Sequence, residues 1–282
     1  MPVRSPTVRR RRLGMELRQL RESAGLTIEH VAQTLECSDS KVSRIETGQV
    51  SATPRDVRDM LEIYGISGQH RDELMQIARE ARQKGWWHAY GDVPVPPVVA
   101  FEVEAYSMSI FYSLLVPGLF QIEDYARAVM RAIRPDLPAR QIDRRVELRM
   151  ARQTLLVKDE PPALWVVLDE AALRRHIGGR AVMHQQLERL IEVAALPNVT
   201  LQVLPFTSGE HAGLDGDFTI IGFPDPADPN VVCISMTTSD VWLEEAEVVR
   251  QYDHMFDLLR AGALSPAESI TFFENAASEC KV

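Results

Sequence analysis

The segment 26–48, LTIEHVAQTLECSDSKVSRIETG, constrains the fold of this 282-residue chain more than any other stretch. It reads as two short helices joined by a tight turn. Thr27 has the residue type of a helix N-cap. Ile28, Val31, Ala32 and Leu35 follow at i, i+3, i+4 and i+7, which gives one apolar face. The pattern breaks at Glu36 and Cys37, restarts with Ser38 as a second cap and with Val42 and Ile45 on one face, and stops at Gly48. Asp39, Ser40, Lys41, Ser43 and Arg44 are left on the outer side of the second helix. A short helix held by two or three apolar contacts, with donors and acceptors along its outer side, suits the DNA major groove.

Amphipathic helices flank this pair. Upstream, Leu13, Leu17, Leu20 and Ala24 recur at helical spacing and Gly25 ends the run. Downstream, Thr53-Pro54 is a cap followed by a first-turn proline, Asp56 sits three residues after the cap, and Val57, Met60, Leu61 and Tyr64 form the apolar face. A fifth helix carries Leu74, Ile77, Ala78 and Ala81 on one side. Five short helices over residues 1–84 predict an all-α module near the lower size at which a domain folds alone.

From Leu13 to Tyr64 the chain resembles the Xre-type helix-turn-helix domain, through the caps, the turn, "KVSRIETG" and the flanking helices. The resemblance implies that Asp39, Ser40 and Arg44 read bases and that Lys41 and Ser43 lie beside phosphates. It also implies that Thr27 opens a helix touching the DNA backbone, and that Arg21 and Glu46 form an internal salt bridge. Ser38 opens the reading helix. Two residues depart from the common pattern. Glu36 stands where glycine is usual in the turn. Asp39 puts a negative charge at the tip of the reading helix, where it either accepts from cytosine N4 or caps the helix.

A net charge of −9 is unusual for a DNA binder, but the charge is unevenly spread. Residues 1–90 hold 15 of the 31 Lys+Arg and 12 of the 40 Asp+Glu, leaving 16 against 28 for the rest. An acidic body with a basic tip favours one docking orientation on a polyanion. The run Arg9–Arg12 reads either as an arm that enters a groove or tracks phosphates, or as a solvated tail. The expected location is the cytoplasm. No apolar run reaches about 18 residues, the start lacks the apolar core of a secretory signal, and Cys37, Cys233 and Cys280 have no disulfide or metal-ligand spacing.

After Lys84 the composition changes. GWWHAYGDVPVPP reads as a linker or corner, with the Trp86–Trp87 pair expected to dock the two domains together, the alternative being that it lines a pocket or binds a partner. Beyond it, helices are predicted over 102–109, 121–133, 138–156, 169–176, 181–195, 244–261 and 266–279, and strands over 110–115, 163–168, 199–205, 217–223 and 230–236. The last strands follow one another without long helices. Residues 85–282 are therefore predicted to form a mixed α/β domain with a central, partly antiparallel sheet.

Several stretches here, among them LLVPGLFQIEDYARAV, VLDEAALRRHIGG, QLERLIEVAALPNVTLQVLPF and GEHAGLDGDFTIIGF, resemble the domain of unknown function that follows an Xre-type domain in many antitoxin-like actinobacterial regulators. The resemblance implies a transcriptional regulator, or an antitoxin-like protein that neutralises a small partner protein encoded nearby. It departs at Ile234-Ser235-Met236, where an acid commonly closes the strand.

Glu210, His211, Asp215 and Asp217 combine acid, base and metal-ligand types within one loop, but glycines at 209, 213 and 216 mark it as a loop whose polar groups cap or face solvent, with a small-ligand or partner contact as the alternative. Asp169-Glu170 opens a helix directly after a strand, where the helix dipole accounts for two acids. No hydrolase, P-loop or zinc-protease motif occurs. The expected protein is not an enzyme and needs no cofactor. Its expected partners are double-stranded DNA and a second copy of itself.

Overall fold

A computed structural model describes residues 6–82, 85–225, 228–236 and 240–281. The chain divides into two compact units. The first comprises Met1–Ala89 with Val98–Glu104 and Asp225–Asp228. The second comprises Tyr90–Pro97, Ala105–Pro224 and Pro229–Val282.

The first unit is helical: α1 (Pro6–Ser23), α2 (Ile28–Thr34), α3 (Asp39–Glu46), α4 (Pro54–Ile63), α5 (Gly68–Glu80) and the short α6 (Val98–Glu102). Its helix starts follow the cap residues. Thr27 Oγ1 accepts from the His30 amide, and Ser38 Oγ accepts from the Lys41 amide. Thr53 and Asp56 form a reciprocal capping box with Pro54 in the first turn. Leu13, Leu17, Val31, Ala32, Val42, Ile45, Val57, Met60, Leu61, Leu74 and Ala78 make one buried core. Ala24 lies beyond the end of α1 and is exposed, so that helix buries a shorter stripe than its periodicity predicts. Glu36 adopts φ 50°, a left-handed conformation that glycine would take without steric cost.

Arg9–Arg12 are neither tail nor free arm. They belong to α1, with Arg11 only 7% exposed. Arg9 Nε lies 3.4 Å from Glu80, and Arg12 pairs with Asp225 and, at 3.9 Å, with Asp228. Long aliphatic stems let arginines cover apolar surface in such a helix, and the heads of Arg9 and Arg12 reach acids. Arg4, the other arginine of the basic start, lies outside the described residues.

The second unit is built on a six-stranded sheet in the order β3-β2-β1-β4-β5-β6. The strands are β1 (Ser107–Tyr112), β2 (Ala163–Asp169), β3 (Val199–Leu204), β4 (Phe218–Gly222), β5 (Val231–Ser235) and β6 (Asp240–Leu243). β1, β2 and β3 pair in parallel, while β4, β5 and β6 add antiparallel. Helices α7 (Glu123–Ile133) and α8 (Ala139–Arg152) carry the first parallel crossover. Helices α9 (Glu170–Arg174) and α10 (Arg180–Ala194) carry the second. Phe111, Val167, Phe218, Ile220 and Val232 from the sheet pack with Val249, Phe256 and Leu259 of α11 (Ala246–Gly262). Helix α12 (Pro266–Cys280), opened by a Ser265–Glu268 capping box, packs on α10 and β3.

The mixed α/β architecture and its partly antiparallel sheet agree with the sequence reading. Three details differ. No helix covers 102–109: α6 ends at Glu102 and β1 starts at Ser107, because Met108 and Ile110 alternate into buried positions beside β2 and β4. The predicted helix 138–156 ends at Arg152 and continues as a 3-10 turn over Gln153–Val157. Strand β6, only four residues long, is too short to leave a periodic signal.

Gly14 shows how tightly the first unit is assembled. A Cβ at this position would lie 2.5 Å from the Glu46 carbonyl oxygen and 2.6 Å from that of Ile45, both backbone atoms at the end of α3. Gly14→Ala improves helix propensity by about 1 kcal/mol, yet it is expected to destabilise by about 1–3 kcal/mol because α1 and α3 must move apart. Chemical denaturation of the variant checks the sign. A stabilised protein would refute the close crossing.

Candidate nucleic-acid interface

Helix α3 has eight residues and spans about 12 Å. Val42, Ile45 and Glu46 are buried, while Ser38, Asp39, Ser40 and Arg44 are exposed and Lys41 and Ser43 half-buried. One side of α3 is therefore spent on the core, and Ser38, Asp39, Ser40, Lys41, Ser43 and Arg44 lie on the rest. Thr27 is exposed at the start of α2.

The individual roles are now specific. Ser38, not Asp39, is the N-cap. Asp39 is the first helical residue, exposed at the positive end of the helix dipole. Ser38 Oγ and Ser40 Oγ lie 3.1 Å apart, which ties two hydroxyls at the tip. Arg44 Nε donates to the Ser40 carbonyl at 3.2 Å, and its two terminal nitrogens have no partner among the described residues. Lys41 is engaged: its Nζ lies 2.8 Å from Asp56 Oδ1. That hydrogen bond raises the Lys41 pKa. Burial works to raise the Asp56 pKa, but the Lys41 and Thr53 hydrogen bonds outweigh it and hold the carboxyl below its ordinary range.

Arg21 and Glu46 hold the interface from behind. Arg21 Nε and Nη2 donate to the two Glu46 carboxylate oxygens at 2.7 and 2.9 Å, a bidentate pair with side-chain exposures of 9% and 3%. Arg21 Nη1 donates to the Leu26 carbonyl at 2.9 Å, so one guanidinium fastens α1, the turn before α2 and the end of α3. The hydrogen bond to Glu46 raises the Arg21 pKa against the opposing effect of burial. Burial also pushes up the phenol of Tyr64, which lies in the field of this pair and whose hydroxyl has no hydrogen-bond partner among the described residues.

A family described as "Domain of unknown function (DUF5753)" matches residues 95–275. The chain belongs to the DUF5753 family. A helix-turn-helix domain model matches residues 12–74, which covers the C-terminal part of α1, α2 to α4 and the first half of α5, so this DUF5753 protein carries a DNA-binding type of module ahead of the family domain. No curated protein and no solved structure matched the chain. No helix among the described residues is long and apolar enough to cross a membrane.

In the DUF5753 region, the 209–217 loop is occupied with structural work. Asp217 Oδ1 accepts from the Ser113 amide at 2.7 Å and its hydroxyl at 2.6 Å, closing the exit of β1. His211 Nε2 is 3.5 Å from Asp169, its Nδ1 accepts from the Gly213 amide, and its ring meets Phe111 edge-on. Asp169 caps α9 through the Ala171 amide, and Glu170 accepts from the Phe206 amide. Glu210 and Asp215 are exposed. Among the described residues no cluster of His, Cys, Asp and Glu is arranged to hold a metal.

The sequence reading missed Asp56 as a partner of α3. Its signal was present but was absorbed by the cap: Thr53-x-x-Asp56 explains the acid without α3. It also missed Arg55, 84% exposed on the first turn of α4, which adds positive charge next to Asp56.

Replacing Glu46 by alanine leaves the Arg21 guanidinium buried without its partner. We expect a loss of about 3–5 kcal/mol in unfolding free energy. A loss below about 1 kcal/mol, the range of an exposed pair, would mean that water reaches this pair in solution.

Proposed function

We propose that this protein is a sequence-specific DNA-binding transcriptional regulator of the Xre type, acting in the cytoplasm. Residues 1–84 form the DNA-reading part, and residues 85–282 are the regulatory and dimerising part. In this reading α3 enters the major groove. Arg44, Ser40 and Asp39 face base edges, Lys41 and Ser43 lie along the backbone, Ser38 sets the helix tip, and Thr27 meets a phosphate from the start of α2.

The observation that carries the reading is the exposed side of α3. Arg44 has its fork of terminal nitrogens unused among the described residues, and a planar fork is the donor set that guanine O6 and N7 accept in bidentate fashion. The expected effect of Arg44→Ala is a loss of about 1–3 kcal/mol on the duplex that the full chain selects from a random-sequence library, with little change on a scrambled duplex. Equal binding of the selected duplex by wild type and variant would refute the assignment.

The regulator is expected to act as a homodimer. One helix-turn-helix buries little surface, and a second linked copy adds affinity through effective concentration. Two-fold symmetry then sets half-sites about one helical turn apart, or a multiple of it. Light scattering of the full chain reads the mass. A monomer that still binds a single unrepeated site tightly would overturn this part. The acidic DUF5753 domain is the part to which a small partner protein would bind.

A further inference from the structure

The Lys41–Asp56 contact has a consequence for how DNA is discriminated. Lys41 is the only cation of α3 besides Arg44. Its side chain is 41% exposed, so it is open to a phosphate, yet its ammonium already meets Asp56 Oδ1 at 2.8 Å. Asp56 is well placed to keep this hold. Its side chain is only 18% exposed, and Oδ2 is fixed by the Thr53 amide at 3.0 Å and the Thr53 hydroxyl at 2.8 Å. The carboxylate therefore stands on the rigid first turn of α4 and cannot follow Lys41 if DNA draws the ammonium away.

Sequence-blind affinity for DNA comes from cations that displace condensed counterions, each adding about 0.9 to the salt slope. A lysine neutralised at contact distance displaces less than one counterion. Arg44, whose terminal nitrogens have no partner among the described residues, keeps its full charge for base edges.

We propose that Asp56 is a specificity-determining positioning residue: by holding Lys41 on the cap of α4, it suppresses the sequence-blind attraction of α3 for phosphates and leaves discrimination to the base-facing side chains. The inference rests on the reading of α3 as the DNA-contacting helix. Asp56 itself touches no DNA. It acts through Lys41, as a built-in charge opposed to binding without recognition.

The test compares the full chain with Asp56→Asn, Lys41→Gln, the double variant, Thr53→Ala and Arg44→Ala. Each is titrated over a range of salt with the selected duplex and with its scrambled version. Asparagine keeps an acceptor for Thr53, so Asp56→Asn removes the charge with least damage to the cap. Thr53→Ala damages the cap while leaving the Asp56 charge beside Lys41.

The proposal expects Asp56→Asn to steepen the salt slope on the scrambled duplex by up to about 0.9, so that its advantage over wild type grows by up to about eightfold for each tenfold fall in salt. The ratio of selected to scrambled affinity falls. In the Lys41→Gln background the same substitution changes nothing. An unchanged slope in Asp56→Asn, a steeper slope that persists without Lys41, or the same change in Thr53→Ala each overturns it. Arg44→Ala reports separately on the underlying reading: normal binding of the selected duplex by that variant removes the role of α3, whatever Asp56 does.

Discussion

The crossing of α1 over the end of α3 is the constraint on which the exposed side of α3 depends. Two features make it possible. Gly14 removes the Cβ that would strike the Glu46 and Ile45 carbonyl oxygens, and Gly48, at φ 68°, lets the chain leave α3 beside the backbone of Arg11. At this distance Arg21 reaches Glu46 with two nitrogens and Leu26 with a third. A buried ion pair is weak evidence for stability as such, because desolvation offsets its attraction. Its effect here is geometric, since the bidentate contact ties the end of α3 to α1. An eight-residue helix has little intrinsic stability, so its orientation is set by these contacts and by Val42 and Ile45.

With α3 held from behind, its outer side carries polar groups that the apolar core does not require. The charge there is modest. Asp39 sits at the tip, Lys41 is matched by Asp56, and Arg44 is the one cation of α3 outside an ion pair among the described residues. Arg9, Arg11 and Arg12 do not add to this surface, because Arg9 and Arg12 reach acids and Arg11 is buried. With a net charge of −9, the protein does not present its charge as a broad basic face on α3.

The DUF5753 region illustrates how chemistry-bearing residue types are used for closure. Four elements converge at the C-terminal ends of the parallel strands, and each open end needs its backbone satisfied. Asp217 answers the amide after β1, Asp169 answers the first turn of α9, Glu170 answers Phe206, and His211 bridges Asp169 and the Phe111 ring. Gly213 lies where a Cβ would meet the Phe111 ring at 2.2 Å, so the loop reaches the sheet only with glycine there.

Much of this was legible from residue order. Caps at Thr27, Ser38 and Thr53, the spacing of Val31, Val42, Val57 and Leu74, and the β-rich runs of β2 to β5 all depend on neighbours within a few residues, and local chemistry determines them. The pairing of Arg21 with Glu46 was legible only through resemblance, since two charges 25 residues apart leave no periodic trace. Tertiary structure alone decided the rest. It turned Arg9–Arg12 from a basic run into a packed helix by supplying Glu80, Asp225 and Asp228. It made Gly14 a contact point rather than a weak helix former, put Asp56 against Lys41, and converted 107–109 from helix to strand by placing β2 and β4 on either side. The physical reason is common to all four: each outcome depends on an atom supplied by a distant part of the chain, and the sequence around the residue holds no record of that distance.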